Sequence, residues 1–254
     1  MKITFLIAGV QKAGTTALDA FLRQHSAITM PSVKEVHYFD DETVNWAAPD
    51  YGRFHRFFDY VKGQVLGQVT PVYSYWKPAP ARIKAYNPGM KLILSLRDPV
   101  DRAYSQWEMQ TSRRIEHLKF GAAIRQGRAR VDTSDLSKSG SIRRFSYVER
   151  GFYAPQIKRL LANFPAEQLM IFDHVALKTN QMAVLDRICD FIGVSRFEVY
   201  PQNKIILPTV KRHDLGPISE EDATYLARLY AEDTRETASL ANLNLSHWKS
   251  WLSV

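Results

Sequence analysis

A chain of 254 residues at 45% hydrophobic content is long enough to bury one substantial core, and its formal net charge of +8 favours an anionic ligand or partner. The single cysteine, Cys189, excludes an internal disulfide and a cysteine-built metal site. No apolar run approaches the roughly 20 residues that span a bilayer, and Met1-Lys2 leads into Ile3 without a targeting sequence, so a cytoplasmic protein with no membrane span is expected.

The apolar run Ile3 to Ala8 predicts a first strand. It enters Val10-Gln11-Lys12-Ala13-Gly14-Thr15-Thr16, after which Leu18, Phe21 and Leu22 recur at helical spacing. Strand, glycine-bearing loop and helix N-terminus together make an anion site. Gly9 and Gly14 keep the G-x-x-x-x-G spacing of a Walker A loop, yet Thr15 stands where that loop needs Lys. The cation lies inside the loop, at Lys12, placed for the bridging oxygen of a 5′-phosphate ester rather than for the β- and γ-phosphates of a nucleoside triphosphate. No Walker B carboxylate follows a later apolar strand.

Further along, Pro31 to Asp40 is irregular and mixes Lys34, Glu35 and His37 with aromatic residues, as an active-site loop would. Tyr51, Phe54, Phe57, Phe58 and Val61 predict a core-facing helix over 51–61, and Val65 to Val69 predicts a strand ended by Thr70-Pro71. Tyr73, Tyr75 and Trp76 at its exit either line a substrate pocket or cap the core. After a helix over 78–86 and a turn at Asn87-Pro88-Gly89, the strand Lys91 to Leu96 runs into Arg97-Asp98, a cation suited to a second phosphate. Asp98-Pro99 is a cap followed by Pro at the first helical position, opening a helix with Arg102, Ser105 and Trp107 to about Arg114.

Residues 111 to 150 hold ten Lys and Arg against four Asp and Glu. Within them, 125–146 reads as a mobile basic loop or lid, or as a solvated surface loop. Regular pattern resumes with a helix from Gly151 to about Phe164, a strand over 169–172 and a helix over 180–192. Lys211-Arg212 falls in an irregular section, and Ser219-Glu220-Glu221-Asp222 opens a last helix. The alternation predicts an α/β, P-loop-like three-layer fold, a central mostly parallel sheet flanked by helices, as a single domain over 1–254.

Three of these stretches, in order, resemble the sulfotransferases that use 3′-phosphoadenosine 5′-phosphosulfate (PAPS), in particular the heparan sulfate sulfotransferase-like branch and its bacterial relatives. Gln11-Lys12-Ala13-Gly14-Thr15-Thr16 resembles the family's 5′-phosphosulfate loop. Arg97-Asp98-Pro99-Val100-Asp101-Arg102-Ala103-Tyr104-Ser105 is similar to its 3′-phosphate motif, in which the first Arg and the Ser contact the phosphate. Lys34-Glu35-Val36-His37-Tyr38-Phe39 is similar to the segment that supplies the acidic base, with weaker similarities at Thr70-Pro71-x-Tyr73 and Arg150-Gly151-x-Tyr153.

The resemblance implies in-line sulfuryl transfer to an acceptor hydroxyl or amine, with release of adenosine 3′,5′-bisphosphate (PAP) and no metal. Lys12 would stabilise the leaving oxygen, and residues 11–16 with Arg97 and Ser105 would hold the donor. Glu35 would be the general base, with a pKa raised by burial among Val36, Tyr38 and Phe39. His37 is either the alternative base or a residue that orients its neighbours. The family's C-terminal donor loop falls near Lys211 and Arg212, which read equally well as a surface charge pair. Val69 stands where heparan-acting members often carry Lys, so the acceptor is left open between a saccharide, a lipid headgroup, a phenol and a small metabolite, with no nucleic-acid partner implied. Two other classes compete: a P-loop nucleotide kinase or NTPase, on the Gly9 to Gly14 spacing, and a non-catalytic polyanion binder, on the basic stretch.

Overall fold

The computed structural model describes residues 2–132, 134–137, 140–202 and 215–252. Along the chain run β1 (Phe5–Gly9), α1 (Thr15–Leu22), β2 (Ile28–Thr29), α2 (Gly52–His55), β3 (Val65–Val69), α3 (Ala79–Tyr86) and β4 (Lys91–Leu96). Then follow α4 (Pro99–Ser112), α5 (Phe120–Ile124), α6 (Ser141–Arg144), α7 (Ala154–Leu161), β5 (Leu169–Asp173), α8 (His174–Thr179), α9 (Gln181–Ile192) and α10 (Glu220–Ala241). The chain clusters into two compact units, one of Met1–Leu96 with Arg159–Leu207 and one of Arg97–Lys158 with Pro208–Val254.

The first unit holds the sheet, in the order β2-β3-β1-β4-β5 with every registered pair parallel. Parallel strands covered on both faces read as unbroken apolar runs, and β1 is buried along its whole length. Its core includes Phe5, Ile7, Leu18, Phe21, Ile93 and Leu185. The chain builds outward from β1 to β3 and β2 on one side and to β4 and β5 on the other. The carboxyl end of β1 is therefore the switch point where open α/β sheets receive ligands. There the register of β1 on β4 shifts between Ile7 and Gly9, a bulge of the kind that re-aims the chain next to a site. Gly9 is fixed by proximity, since a Cβ on it would lie 2.6 Å from the Ser74 hydroxyl.

The second unit has its own core, in which Val100, Trp107, Phe120, Tyr147, Leu226 and Tyr230 meet. Asp98 caps α4 by accepting from the Val100 amide at 2.9 Å, and Ser219 caps α10 by accepting from Asp222 at 3.1 Å. Acidic residues Glu220, Glu221 and Asp222 fill the first turn of α10, as its dipole favours.

One expectation changes. The helix expected over 51–61 shrinks to the single turn of α2: Phe54 and Phe58 are buried, but Tyr60 and Val61 are 50% and 54% exposed, so no core face sustains it. The passage expected as a basic loop or lid carries a 3₁₀ turn over Gln126–Arg130 and α6. Within it Arg128 pairs with Glu149 at 2.8 Å and Arg130 with the buried Glu116.

Candidate active site

The segment after β1 is a tight turn. The Ala13 amide donates to the Val10 carbonyl at 3.3 Å, which makes Lys12 the third residue of that turn, with a φ of 73°. A positive φ at this position is ordinarily met by glycine. Gly14 follows at φ 81° and forms the N-cap of α1, which has no side-chain cap; its carbonyl accepts the Ala17 and Leu18 amides at 3.0 and 3.1 Å, and a helix start of this kind presents its first amides outward. A Cβ on Gly14 would sit 3.3 Å from Leu177 of α8, so backbone conformation and space both select glycine there. Two threonines, one buried and one half-buried, open the helix. A glycine-bearing turn that leads into a helix N-terminus is backbone of the kind that can receive an anion.

The loop over 31–50 has no regular structure and is pinned from outside. Ser32 donates its amide to Phe57 and Glu35 donates its own to Val69, at the end of β3. The Tyr73 hydroxyl accepts from the amides of Tyr38 and Phe39 at 3.1 and 3.3 Å, and Arg82 of α3 binds the Phe39 carbonyl at 3.0 Å and both oxygens of Glu42. Trp76 donates its indole N–H to Glu42 at 2.7 Å.

Within this frame four charged groups form a chain. Asp40 is fully buried, and its Oδ2 lies 2.9 Å from His37 Nδ1. The other ring nitrogen, Nε2, lies 3.4 Å from Glu35 Oε2, and Lys34 is paired with Glu35 Oε1. Glu35 and His37 both take positive φ, 61° and 55°, conformations that are maintained only when surroundings over-determine them.

The expected upward shift of Glu35 is not found. Burial does push its carboxyl up, but the hydrogen bond from His37 and the charge of Lys34 outweigh burial and lower the pKa to about 2. Burial likewise pushes the His37 ring down, and Asp40 and Glu35 overcome it, raising the ring to about 9. At neutral pH the resting arrangement is thus carboxylate, imidazolium, carboxylate. His37 is not poised as a free base. Its ring lies between Glu35 and Asp40, the latter a partner three residues along that the sequence reading left unassigned.

Arg97 and Ser105 belong to the second unit. Arg97 directly follows β4 in the chain and is half-buried, with burial working against its charge, while Ser105 on α4 is 4% exposed. Tyr153 explains the weaker Arg-Gly-x-Tyr similarity: its hydroxyl donates to the Arg97 carbonyl at 2.7 Å. Arg102, inside the same motif, is fully buried and donates to Gln106 at 2.9 Å and to the Tyr147 carbonyl, so it is structural.

Among the proposed acceptor-lining residues, Tyr73 and Trp76 are 0% and 1% exposed and hold the Glu35 loop instead, leaving Tyr75, half-buried, as the one of the three with appreciable surface. Lys211 and Arg212 lie outside the described residues. A surface concavity of about 720 Å³ in the second unit, with Arg125, Glu221, Tyr225 and Arg228 in its lining, contains no sequence-predicted site residue. Among the described residues no cluster of His, Cys, Asp and Glu is arranged to hold a metal ion, and no helix is long and apolar enough to cross a membrane.

Comparison with known proteins bears on this geometry. Residues 2–206 match the family described as Sulfotransferase domain. Human heparan sulfate glucosamine 3-O-sulfotransferase 3B1 is 32% identical over 75% of the chain and 46% of its own length. Mouse bifunctional heparan sulfate N-deacetylase/N-sulfotransferase 4 is 30% identical over 98% of the chain and 31% of its own length. The chain thus spans less than half the length of these curated relatives. Among solved structures, a sulfotransferase from Alicyclobacillus acidocaldarius superposes with a TM-score of 0.80 at 27% identity, covering 98% of this chain and 99% of that one. A mouse sulfotransferase complexed with PAP, at 12% identity and a TM-score of 0.58 over 94% and 86% of the two chains, shares the fold.

Proposed function

The chain belongs to the PAPS-dependent sulfotransferase family, and on that premise we propose that it moves a sulfuryl group in line from PAPS to an acceptor hydroxyl or amine, releasing PAP. The kinase and polyanion-binder readings are not favoured. The observation that carries the proposal is the Val10–Thr16 cradle, with its cation inside the turn at Lys12 and an uncapped helix start behind Gly14.

The donor supplies an electrophilic sulfur attached to a phosphate leaving group. Gln11, Ala13, Gly14, Thr15 and Thr16 hold the 5′-phosphate through backbone N–H groups and hydroxyls, and Lys12 neutralises charge at the bridging oxygen. Arg97 and Ser105 are assigned to the 3′-phosphate, for which a guanidinium fork and a hydroxyl are suited donors. Glu35 takes the acceptor proton. A carboxylate held near a pKa of 2 is a weak base, but an acceptor oxygen becomes strongly acidic as its bond to sulfur forms, so a weak base placed correctly suffices. His37, kept charged by Asp40, holds Glu35 in place. We include no metal, because the sulfuryl group carries less negative charge than a phosphoryl group. The acceptor class is left open, with Tyr75 as the residue to vary first. A cytoplasmic location belongs to the same proposal.

Calorimetric titration with PAP, beside adenosine 5′-monophosphate and Mg-ATP, tests this reading in wild type and Arg97→Ala. Tight PAP binding that depends on the 3′-phosphate and on Arg97 is expected. Preference for Mg-ATP, or no nucleotide binding, would overturn it.

A further inference from the structure

We infer that Ser95 of β4 sets the anion-binding geometry of the Val10–Thr16 loop, as a positioning residue that acts through the Ala13 peptide. The inference rests on the reading of that loop as the 5′-phosphate site.

Ser95 interrupts an otherwise apolar run: Leu92, Ile93, Leu94 and Leu96 are all fully buried, and so is Ser95. A hydroxyl in that position gives up apolar packing and must find a partner. It finds one in the loop, donating to the Ala13 carbonyl at 2.8 Å. The same residue's backbone carbonyl accepts the Val10 amide at 3.0 Å. Both ends of the turn that carries Lys12 are therefore tied to one residue on the strand across the switch point. The bulge that pairs Gly9 with Leu94 brings the next residue, Ser95, opposite Val10.

The consequence follows from the peptide plane. In a trans peptide the C=O and the following N–H point in opposite directions. With the Ala13 carbonyl fixed toward β4, the Gly14 N–H is aimed away from the strand, and the positive φ of Gly14 then carries the chain into α1. Ala13 is fully buried, so its carbonyl has no water to turn to when the hydroxyl is removed. The peptide is then free to rotate in search of a donor, and the Gly14 amide and the turn at Lys12 rotate with it.

The test uses the whole chain as wild type, Ser95→Ala, and the isosteric pair Ser95→Thr and Ser95→Val, which differ from each other only in the hydroxyl. Each is titrated calorimetrically with PAP and with adenosine 3′-monophosphate, which lacks the 5′-phosphate. Ser95→Ala and Ser95→Val should bind PAP about three- to tenfold more weakly, the usual range for one lost hydrogen bond, with adenosine 3′-monophosphate unchanged and Ser95→Thr close to wild type. Unchanged PAP affinity in the Ala and Val variants overturns the inference. So does equal weakening toward both nucleotides, which marks general loosening, or a Thr variant as weak as Val. If Val or Thr does not fold, Ala against wild type decides. A wild type that gains nothing from the 5′-phosphate instead overturns the reading of the loop itself, and the inference with it.

Discussion

Lys12, Glu35 and His37 share a backbone anomaly: they are three of the five non-glycine residues with positive φ among the described residues. Each such residue stores roughly 1–3 kcal/mol of local strain, and here the three coincide with the residues proposed to do the chemistry. A strained position kept non-glycine implies that its side chain is needed. Lys12→Gly should therefore stabilise the fold, by about 0.5–1 kcal/mol in urea unfolding, while abolishing transfer. A glycine variant that is both active and no more stable than wild type would show that the turn is not strained and the amine is dispensable. The charged chain makes a prediction in pH. With its ring raised from 6.5 to about 9, His37 contributes stability that is complete below pH 6.5 and lost as pH rises through about 9. Glu35, lowered from 4.5 to about 2, contributes above pH 4.5 and loses that contribution as pH falls through about 2. Proton NMR of the His37 ring should give a midpoint near 9 in wild type, moving down in Glu35→Gln but stopping short of 6.5 because Asp40 remains. A wild-type midpoint at 6.5 would mean that the chain of charges does not form in solution.

The 31–50 loop and the β4 edge show where sequence reading works and where it stops. The strand, turn and helix around Lys12 were legible because their signals are local: an apolar run, two glycines and helical spacing within some twenty residues of chain. Glu35 and His37 were legible as a titratable pair in an irregular stretch. Tyr73 and Trp76 were not, because aromatic residues after a strand look alike whether they face a ligand or hold a loop. Only the long-range partners, the amides of Tyr38 and Phe39 and the carboxylate of Glu42, separate the two roles. Ser95 reads in sequence as a neutral filler of a strand, and its hydroxyl acquires meaning only against Ala13, far away in the chain. These long-range ties imply a measurable division of labour. Tyr73→Phe removes the acceptor of two buried loop amides, at about 1–3 kcal/mol for each amide left without a partner, yet leaves the Lys12 turn untouched. Turnover should fall at least tenfold while PAP affinity stays within about twofold, given that a small misplacement of a catalytic group is heavily penalised. Equal losses in turnover and PAP affinity would mean that the hydroxyl supports the fold generally and not the Glu35 loop.

At the scale of the whole molecule the question is what the net charge of +8 is for. The sequence concentrates it in residues 111–150, ten cations against four anions, which suggested a polyanion-binding face as one reading. In the second unit Arg128 pairs with Glu149 and Arg130 with Glu116 inside that stretch, and Arg125 draws on Glu221 and Asp222 from outside it, so part of the excess is met by α10. Arg113, Arg114 and Lys119 of the same stretch are exposed. A ligand recognised by a few directed groups responds to salt differently from one held by a diffuse basic surface. A protein neutralising six to ten phosphates of a polyanion loses about 10³–10⁵-fold in affinity between 50 and 200 mM salt, through counterion release. On the proposal that Lys12, Arg97 and backbone amides meet PAP, its affinity should fall less than about tenfold over the same range, since few counterions are displaced and hydrogen bonds to fixed amides are weakly screened. Isothermal titrations at the two salt concentrations, with a heparin-like polyanion in parallel, measure the difference. A shallow slope for PAP and a steep one for the polyanion would locate donor recognition in the cradle and assign the basic excess to acceptor or surface attraction. A PAP slope as steep as the polyanion's would mean that nucleotide is held by diffuse charge, and Lys12→Ala would then leave its affinity unchanged.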